Sequence, residues 1–93
     1  MGPHQKHHQE SVLEYRGYFI RIYAGLSELA DGGASWLVSA DIVDPANPTL
    51  PIYAYDAKPP QDLVADRYTA VRERIIGMEY VIDLGNLPPL QGI

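Results

Sequence analysis

Two segments with alternating side chains, separated by a glycine-rich stretch, constrain the fold of this chain most. In the first segment the two alternating sets are Tyr18, Ile20, Ile22 and Phe19, Arg21, Tyr23. In the second segment they are Trp36, Val38, Ala40, Ile42 and Leu37, Ser39, Asp41, Val43. A period of two is typical of a strand that buries one face. Because the intervening Asp31-Gly32-Gly33 accepts the positive φ angles of a tight turn, we expect a β-hairpin.

The rest of the chain predicts a third strand and one helix. Prolines in residues 44 to 48 indicate a turn, after which residues 50 to 55 predict a short edge strand. Beyond Pro59-Pro60, a helix is expected to begin near Asp62. Apolar residues then recur every three or four positions, as on the buried side of a helix; they are Val64, Tyr68, Val71, Ile75 and Met78. Residues 78 to 84 fit both a continuation of this helix, which we favour, and a fourth strand.

These elements predict an α+β fold in β-β-β-α order. One helix packs on one face of a three-stranded antiparallel sheet, to which residues 78 to 84 could add a strand. A chain of 93 residues is long enough for one hydrophobic core. We therefore expect a disordered leader over residues 1 to 11, a single domain over residues 12 to 84 and an extended tail over residues 85 to 93.

A single helix covers only one face of a sheet, so the second face is expected to be open. Alternation places aromatic and charged side chains on it, and the expected interaction face consists of Phe19, Arg21, Tyr23, Leu37, Asp41, Tyr53 and Tyr55. Exposed apolar patches often mark binding surfaces, where Tyr and Arg are enriched. The alternative is that these aromatic residues are simply good strand formers, kept soluble by a cross-strand pair of Arg21 with Asp41.

Charge and composition exclude several classes of function. Twelve acidic residues against seven basic ones give a net charge of -5, which opposes binding to nucleic-acid phosphates. Four aspartates leave open a further hypothesis, an inhibitor that mimics nucleic acid; they are Asp41, Asp44, Asp56 and Asp62. The sequence has no apolar run of membrane-spanning length and no signal peptide, so no membrane partner is expected. The absence of cysteine favours the cytoplasm.

No pattern in the sequence is specific for a reaction or a cofactor. All three histidines, His4, His7 and His8, fall in the expected leader, which offers no fixed geometry for a metal site or a catalytic triad. No glycine-rich phosphate loop is present. We therefore expect no cofactor, no metal and no catalytic residue. A small ligand-binding or hydrolase-like domain that uses Asp41 and Asp56 is kept as the alternative function.

Three features together resemble a group of small uncharacterised bacterial domains with a β-β-β-α layout. They are Tyr15-Arg16-Gly17-Tyr18, the strand that contains Trp36, and a helix that ends near Ile82-Asp83. The resemblance spans residues 12 to 84 and implies the fold alone, because the group has no assigned activity to transfer. The first functional hypothesis is therefore a small protein-interaction module. It would bind a protein partner or a second copy through the open sheet face or the edge strand of residues 50 to 55.

Overall fold

The computed structural model describes residues 8–28 and 33–91, which form a four-stranded antiparallel sheet and one helix. The elements are β1 (His8–Tyr15), β2 (Tyr18–Glu28), β3 (Ala34–Val43), β4 (Tyr53–Tyr55) and α1 (Arg67–Asp83). The strands lie side by side in chain order, and α1 packs against the central strands β2 and β3. The predicted α+β class, with one helix on one face of an antiparallel sheet, is confirmed.

The additional strand is β1, which comes from the N-terminal part of the chain. Tyr15 pairs with Tyr18 across a two-residue turn, so β1 and β2 form a hairpin that the alternation from Tyr18 onward did not reveal. Arg16 and Gly17 have φ angles of 52° and 88°, and positive φ at both central positions is typical of a type I′ hairpin turn. Residues 8 to 11, expected to belong to the leader, are part of β1. Residues 1 to 7 lie outside the described residues.

The hairpin of β2 and β3 has the predicted pairing. It extends from Phe19 opposite Val43 to Glu28 opposite Ala34, and the predicted turn residues Asp31 and Gly32 lie outside the described residues. The even-numbered side chains of both strands form the core beneath α1, as the alternation predicted. These core residues are Ile20, Ile22, Ala24, Val38, Ala40 and Ile42.

β4 is short, and its register places two tyrosines on the helix side of the sheet. Tyr55 pairs with Ala40 and Tyr53 with Ile42, and both tyrosines pack against the core. Their predicted position on the opposite face is therefore wrong. Residues 56 to 62 then loop away from the sheet edge. The chain returns at Val64, which exchanges backbone hydrogen bonds of 2.8 and 3.1 Å with Trp36.

The helix begins later than the sequence suggested. Its N-cap is Asp66, whose Oδ2 accepts hydrogen bonds from the Thr69 amide at 2.8 Å and the Thr69 hydroxyl at 2.7 Å. Asp62 lies in the preceding loop. α1 continues through Gly77 to Asp83, so the preferred helical interpretation of residues 78 to 83 is correct. No helix in the described part of the chain is long and apolar enough to cross a membrane.

Residues 85 to 91, the C-terminal strap, run back along the end of the sheet. The Tyr18 hydroxyl donates a hydrogen bond to the Pro88 carbonyl at 3.1 Å, and the Gln91 amide donates one to Asp44 Oδ2 at 2.7 Å. Leu90 lies so close to Gly17 that a β-carbon at position 17 would be 2.8 Å from Leu90 Cδ1. The strap thus packs against the β1–β2 turn and the start of the β3–β4 loop.

Candidate interaction surface

The sheet face opposite α1 is not the open aromatic surface that the alternation predicted. Leu37 is 1% exposed and Asp41 is 8% exposed, while Phe19, Arg21 and Tyr23 are half-buried. The structure therefore brings these five predicted residues onto one face. That face is only partly accessible, and Tyr53 and Tyr55 of β4 lie on the other face of the sheet.

Contacts with the β3–β4 loop and with the residues after β4 explain part of this burial. Arg21 donates two hydrogen bonds to Asp41, at 2.7 and 2.8 Å, and a third to the Pro48 carbonyl at 3.2 Å. The Ala57 amide donates to the Ser39 hydroxyl at 2.9 Å. The hydrogen bonds to Asp41 raise the pKa of Arg21. Because its central charges are paired with each other, this face is better explained as part of the packed structure than as a free docking surface.

A second polar cluster lies on the helix side, where residues 56 to 62 leave the sheet edge. Asp62 accepts hydrogen bonds from the Tyr55 hydroxyl at 2.9 Å and from the Lys58 amide at 2.9 Å. The Arg74 guanidinium lies 3.9 Å from the centroid of the Tyr55 ring and donates to the Val38 carbonyl at 2.7 Å. Arg74 thus satisfies a carbonyl of β3 at a point beyond the end of β4.

The titration behaviour of this cluster fits a structural role. The Lys58 backbone amide is the main cause that lowers the pKa of Asp62, with further contributions from the Tyr55 hydroxyl and Arg74. The hydrogen bond to Asp62 in turn raises the pKa of Tyr55. A carboxylate with a lowered pKa is a weak base, so Asp62 is poorly suited to remove a proton from a substrate. Its hydrogen bonds hold the loop instead.

The four aspartates singled out in the sequence do not form an exposed acidic surface. Asp41 and Asp44 are buried, Asp62 is half-buried, and Asp56 alone among the four is exposed, where it pairs with Lys58 at 3.3 Å. Each of the three less exposed carboxylates accepts hydrogen bonds from the chain. The geometry thus gives no support to nucleic-acid mimicry. Asp41 and Asp56 are each already paired with a cation, and the described residues contain no cluster of three or more His, Cys, Asp or Glu side chains that could hold a metal.

The outer side of α1 carries the largest exposed apolar side chains of the helix. Tyr68 is 73% exposed, Ile76 is 50% exposed and Tyr80 is 63% exposed. Residues four positions apart lie on the same side of a helix, so Arg72 completes a row with these three. Beside this row runs a shallow groove of about 400 Å³, whose lining consists of Tyr68, Val71, Arg72, Ile75, Ile76 and Glu79. We define the outer face of α1 as Tyr68, Arg72, Glu73, Ile76, Glu79 and Tyr80.

The sequence did not predict this surface because α1 is apolar on both sides. Its buried residues are Ala70, Met78 and Ile82, yet Ile76 and Tyr80 lie on the opposite side. A helix on the surface of a domain usually has polar residues on the side that faces water. Tyr68, which the predicted apolar stripe placed in the core, points to solvent. The signal that could have revealed the outer face was a second row at four-residue spacing, in which all members except Arg72 are apolar.

Comparisons of the chain with protein-family models, with curated proteins and with solved structures found no match. The bacterial origin implied by the resemblance of the sequence therefore stays a prediction.

Proposed function

We propose that this chain is a small protein-interaction module that docks on another folded polypeptide through the outer face of α1. The observation that carries the proposal is the exposure of Tyr68, Ile76 and Tyr80 in a single row on the helix. Burial of apolar surface is favourable by roughly 25 cal/mol for each Å². Tyrosine is also among the residues most enriched at the energetic centres of interfaces. A docked partner would therefore gain most of its binding energy from this row.

The charged side chains beside the row supply the rim of the proposed interface. In the part of the chain that the structure describes, the side chains of Arg72, Glu73 and Glu79 form no ion pair and no hydrogen bond. They are therefore available to a partner without breaking an internal contact. An apolar centre surrounded by charged groups is the usual anatomy of a protein interface. The charges would fix the orientation of the partner, and the row would hold it.

The two surfaces favoured by the sequence support docking less well. Arg21 and Asp41, the charged residues at the centre of the predicted sheet face, are already paired with each other. The predicted edge strand of residues 50 to 55 contains only three residues of regular strand, Tyr53–Tyr55, so it offers a partner strand few hydrogen bonds. The outer face of α1 combines high exposure, apolar character and unused charge, which favours the helix over the sheet as the docking surface.

Site-specific photo-crosslinking in cells that naturally produce the chain tests the proposal. Tyr80 is replaced by the photoreactive residue p-benzoylphenylalanine, an aromatic side chain that fits an exposed position. The matched control carries it in place of Val12, which is 44% exposed and pairs with Arg21 on the face opposite α1. We expect a discrete crosslinked product from position 80 and none from position 12. No product from position 80, or products from position 12 alone, would contradict the proposal.

A further inference from the structure

We infer that the polypeptide that docks on the outer face of α1 is a second copy of this chain, packed with the two helices antiparallel. The inference rests on the proposed function, because it names the partner for the same surface. Three features support it: the positions of the charges around Ile76, the direction of the helix dipole, and the symmetry that a homodimer requires.

Arg72 and Glu79 lie on the same side of Ile76, one before it and one after it along the helix. With 3.6 residues per turn, Arg72 lies about 40° and Glu79 about 60° to the same side of Ile76 around the helix axis. Along the axis, Arg72 is about 6 Å before Ile76 and Glu79 about 4.5 Å after it. Two antiparallel helices can be related by a two-fold axis that passes next to Ile76. This axis places each residue of the second copy on the same side of the interface as in the first copy, but a residue that precedes Ile76 in one copy lies level with residues that follow Ile76 in the other. Arg72 of each copy is then opposite Glu79 of the other.

The same operation pairs the residues on the other side of Ile76. Glu73 and Tyr80 lie about 60° and 40° from Ile76 in the opposite direction, again before and after it along the helix. The Glu73 carboxylate of one copy would then be opposite the Tyr80 hydroxyl of the other. Ile76 would contact Ile76 at the centre. One symmetry operation thus gives an apolar centre, two ion pairs and two tyrosine–carboxylate contacts.

The ends of α1 favour the antiparallel arrangement over the parallel one. Apart from the N-cap Asp66, the first turn contains no acidic residue and the last turn no basic one. Asp83 at the C-terminus pairs with Arg16 at 2.8 Å, and the Arg67 guanidinium at the N-terminus lies over the Trp36 ring, so the difference between the two ends comes from the helix dipole. Two parallel copies would bring like ends together. Two antiparallel copies bring opposite ends together, which is favourable for the dipoles.

The parallel arrangement also predicts a different ion pair. A two-fold axis parallel to the helices leaves each residue of the second copy at the same level along the helix but places it on the other side of the interface. Arg72 would then be opposite Glu73 of the second copy. The two arrangements can therefore be distinguished by the acidic residue that compensates a reversed charge at position 72. Glu79 is the partner in the antiparallel dimer, and Glu73, six residues earlier on the helix, supplies a matched control.

The experiment is analytical ultracentrifugation of the purified full chain over a wide concentration range. We expect a reversible monomer–dimer equilibrium for the wild type. Arg72→Glu and Glu79→Arg should each weaken the dimer about tenfold or more, since each creates two repulsive pairs. The double variant R72E/E79R should return to near wild-type affinity. The control R72E/E73R should stay as weak as R72E. An equimolar mixture of the R72E and E79R chains should form a heterodimer, because both ion pairs are then restored.

Several results would contradict the inference. Restoration by R72E/E73R instead of R72E/E79R would overturn the antiparallel arrangement. A wild-type chain that stays monomeric, together with a photo-crosslink from position 80 to a different protein, would end the second-copy inference and leave the proposed function intact. A dimer that none of the α1 variants weakens, with no product from position 80, would contradict both. Circular dichroism spectra that match the wild type show that each variant is folded.

Discussion

Met78 and Ile76 lie two residues apart on α1 and on opposite sides of it, with Met78 2% exposed and Ile76 50% exposed. Met78→Ala removes buried apolar atoms, so it should lower the free energy of unfolding by about 2 to 4 kcal/mol. Ile76→Ala should change it by less than about 0.5 kcal/mol when measured at a concentration where the chain is monomeric. Urea denaturation at low micromolar concentration measures both. A large loss for I76A in the monomer would show that this side chain belongs to the core.

Arg21 and Asp41 form the central ion pair of the face opposite α1, and their side chains are 22% and 12% exposed. Asp41→Ala should destabilise the fold by about 2 kcal/mol, since it leaves the Arg21 guanidinium partly buried without its counter-charge. Replacing both residues by apolar ones, R21M/D41L, should recover most of this loss. A double-mutant cycle by chemical denaturation checks the coupling. D56A, which breaks the exposed pair with Lys58, should have little effect.

Gly17 and Gly77 predict opposite outcomes for the same substitution. Gly17 has a φ angle of 88°, and an added β-carbon would lie 2.8 Å from Leu90 Cδ1, so Gly17→Ala should destabilise the fold by about 1 to 2 kcal/mol. Gly77 is inside α1, and nothing lies within 4 Å of an added β-carbon. Gly77→Ala should therefore stabilise the fold by about 0.5 to 1 kcal/mol through helix propensity. Thermal melts of the two variants test both signs. Stabilisation by G17A would show that the strap is not packed as described.

The lowered pKa of Asp62 predicts that the fold loses stability at acidic pH. Its pKa is lowered in the folded chain, chiefly by the Lys58 amide, so the unfolded chain binds a proton first as the pH falls. The contribution of Asp62 to stability is therefore complete above the unfolded pKa of about 4 and is lost as the pH falls through the lower folded value. Asp62→Asn should flatten the dependence of the unfolding free energy on pH as the pH falls below about 5. Tyr55→Phe, which removes one donor and keeps the ring beside Arg74, should flatten it less. An unchanged slope in D62N would contradict this assignment.

The sequence predicted the parts of the fold that depend on local pattern. Alternation identified β2, β3 and their core face, and helical spacing identified most of α1. It missed the β1–β2 turn because Arg16 takes a positive φ angle, which is common for Gly and Asn but not for Arg. It also placed the helix start at Asp62 instead of Asp66. The spacing of polar residues allows either aspartate to act as a cap, and the loop of residues 56 to 62 decides between them.

The candidate surface was less predictable than the fold, because it depends on tertiary register. The side of the sheet taken by Tyr53 and Tyr55 depends on which residues of β3 they pair with, and a shift of one residue exchanges the two sides. The conformation of the β3–β4 loop sets this register. Similarly, α1 has apolar residues on two sides, and only its contacts with β2 and β3 show that Met78 faces the core and Ile76 faces solvent.

The unequal edges of the described sheet have a consequence for aggregation. β1 offers an eight-residue edge, whereas β4 offers three residues before the chain loops out and Arg74 occupies the Val38 carbonyl. A fibril that grows by strand addition needs two usable edges on every subunit, one to receive a strand and one to offer the next. In this sheet one edge is largely blocked, so pairing through β1 would stop at two chains. The short β4 and the Arg74 contact that follows it therefore limit growth of the sheet by strand addition.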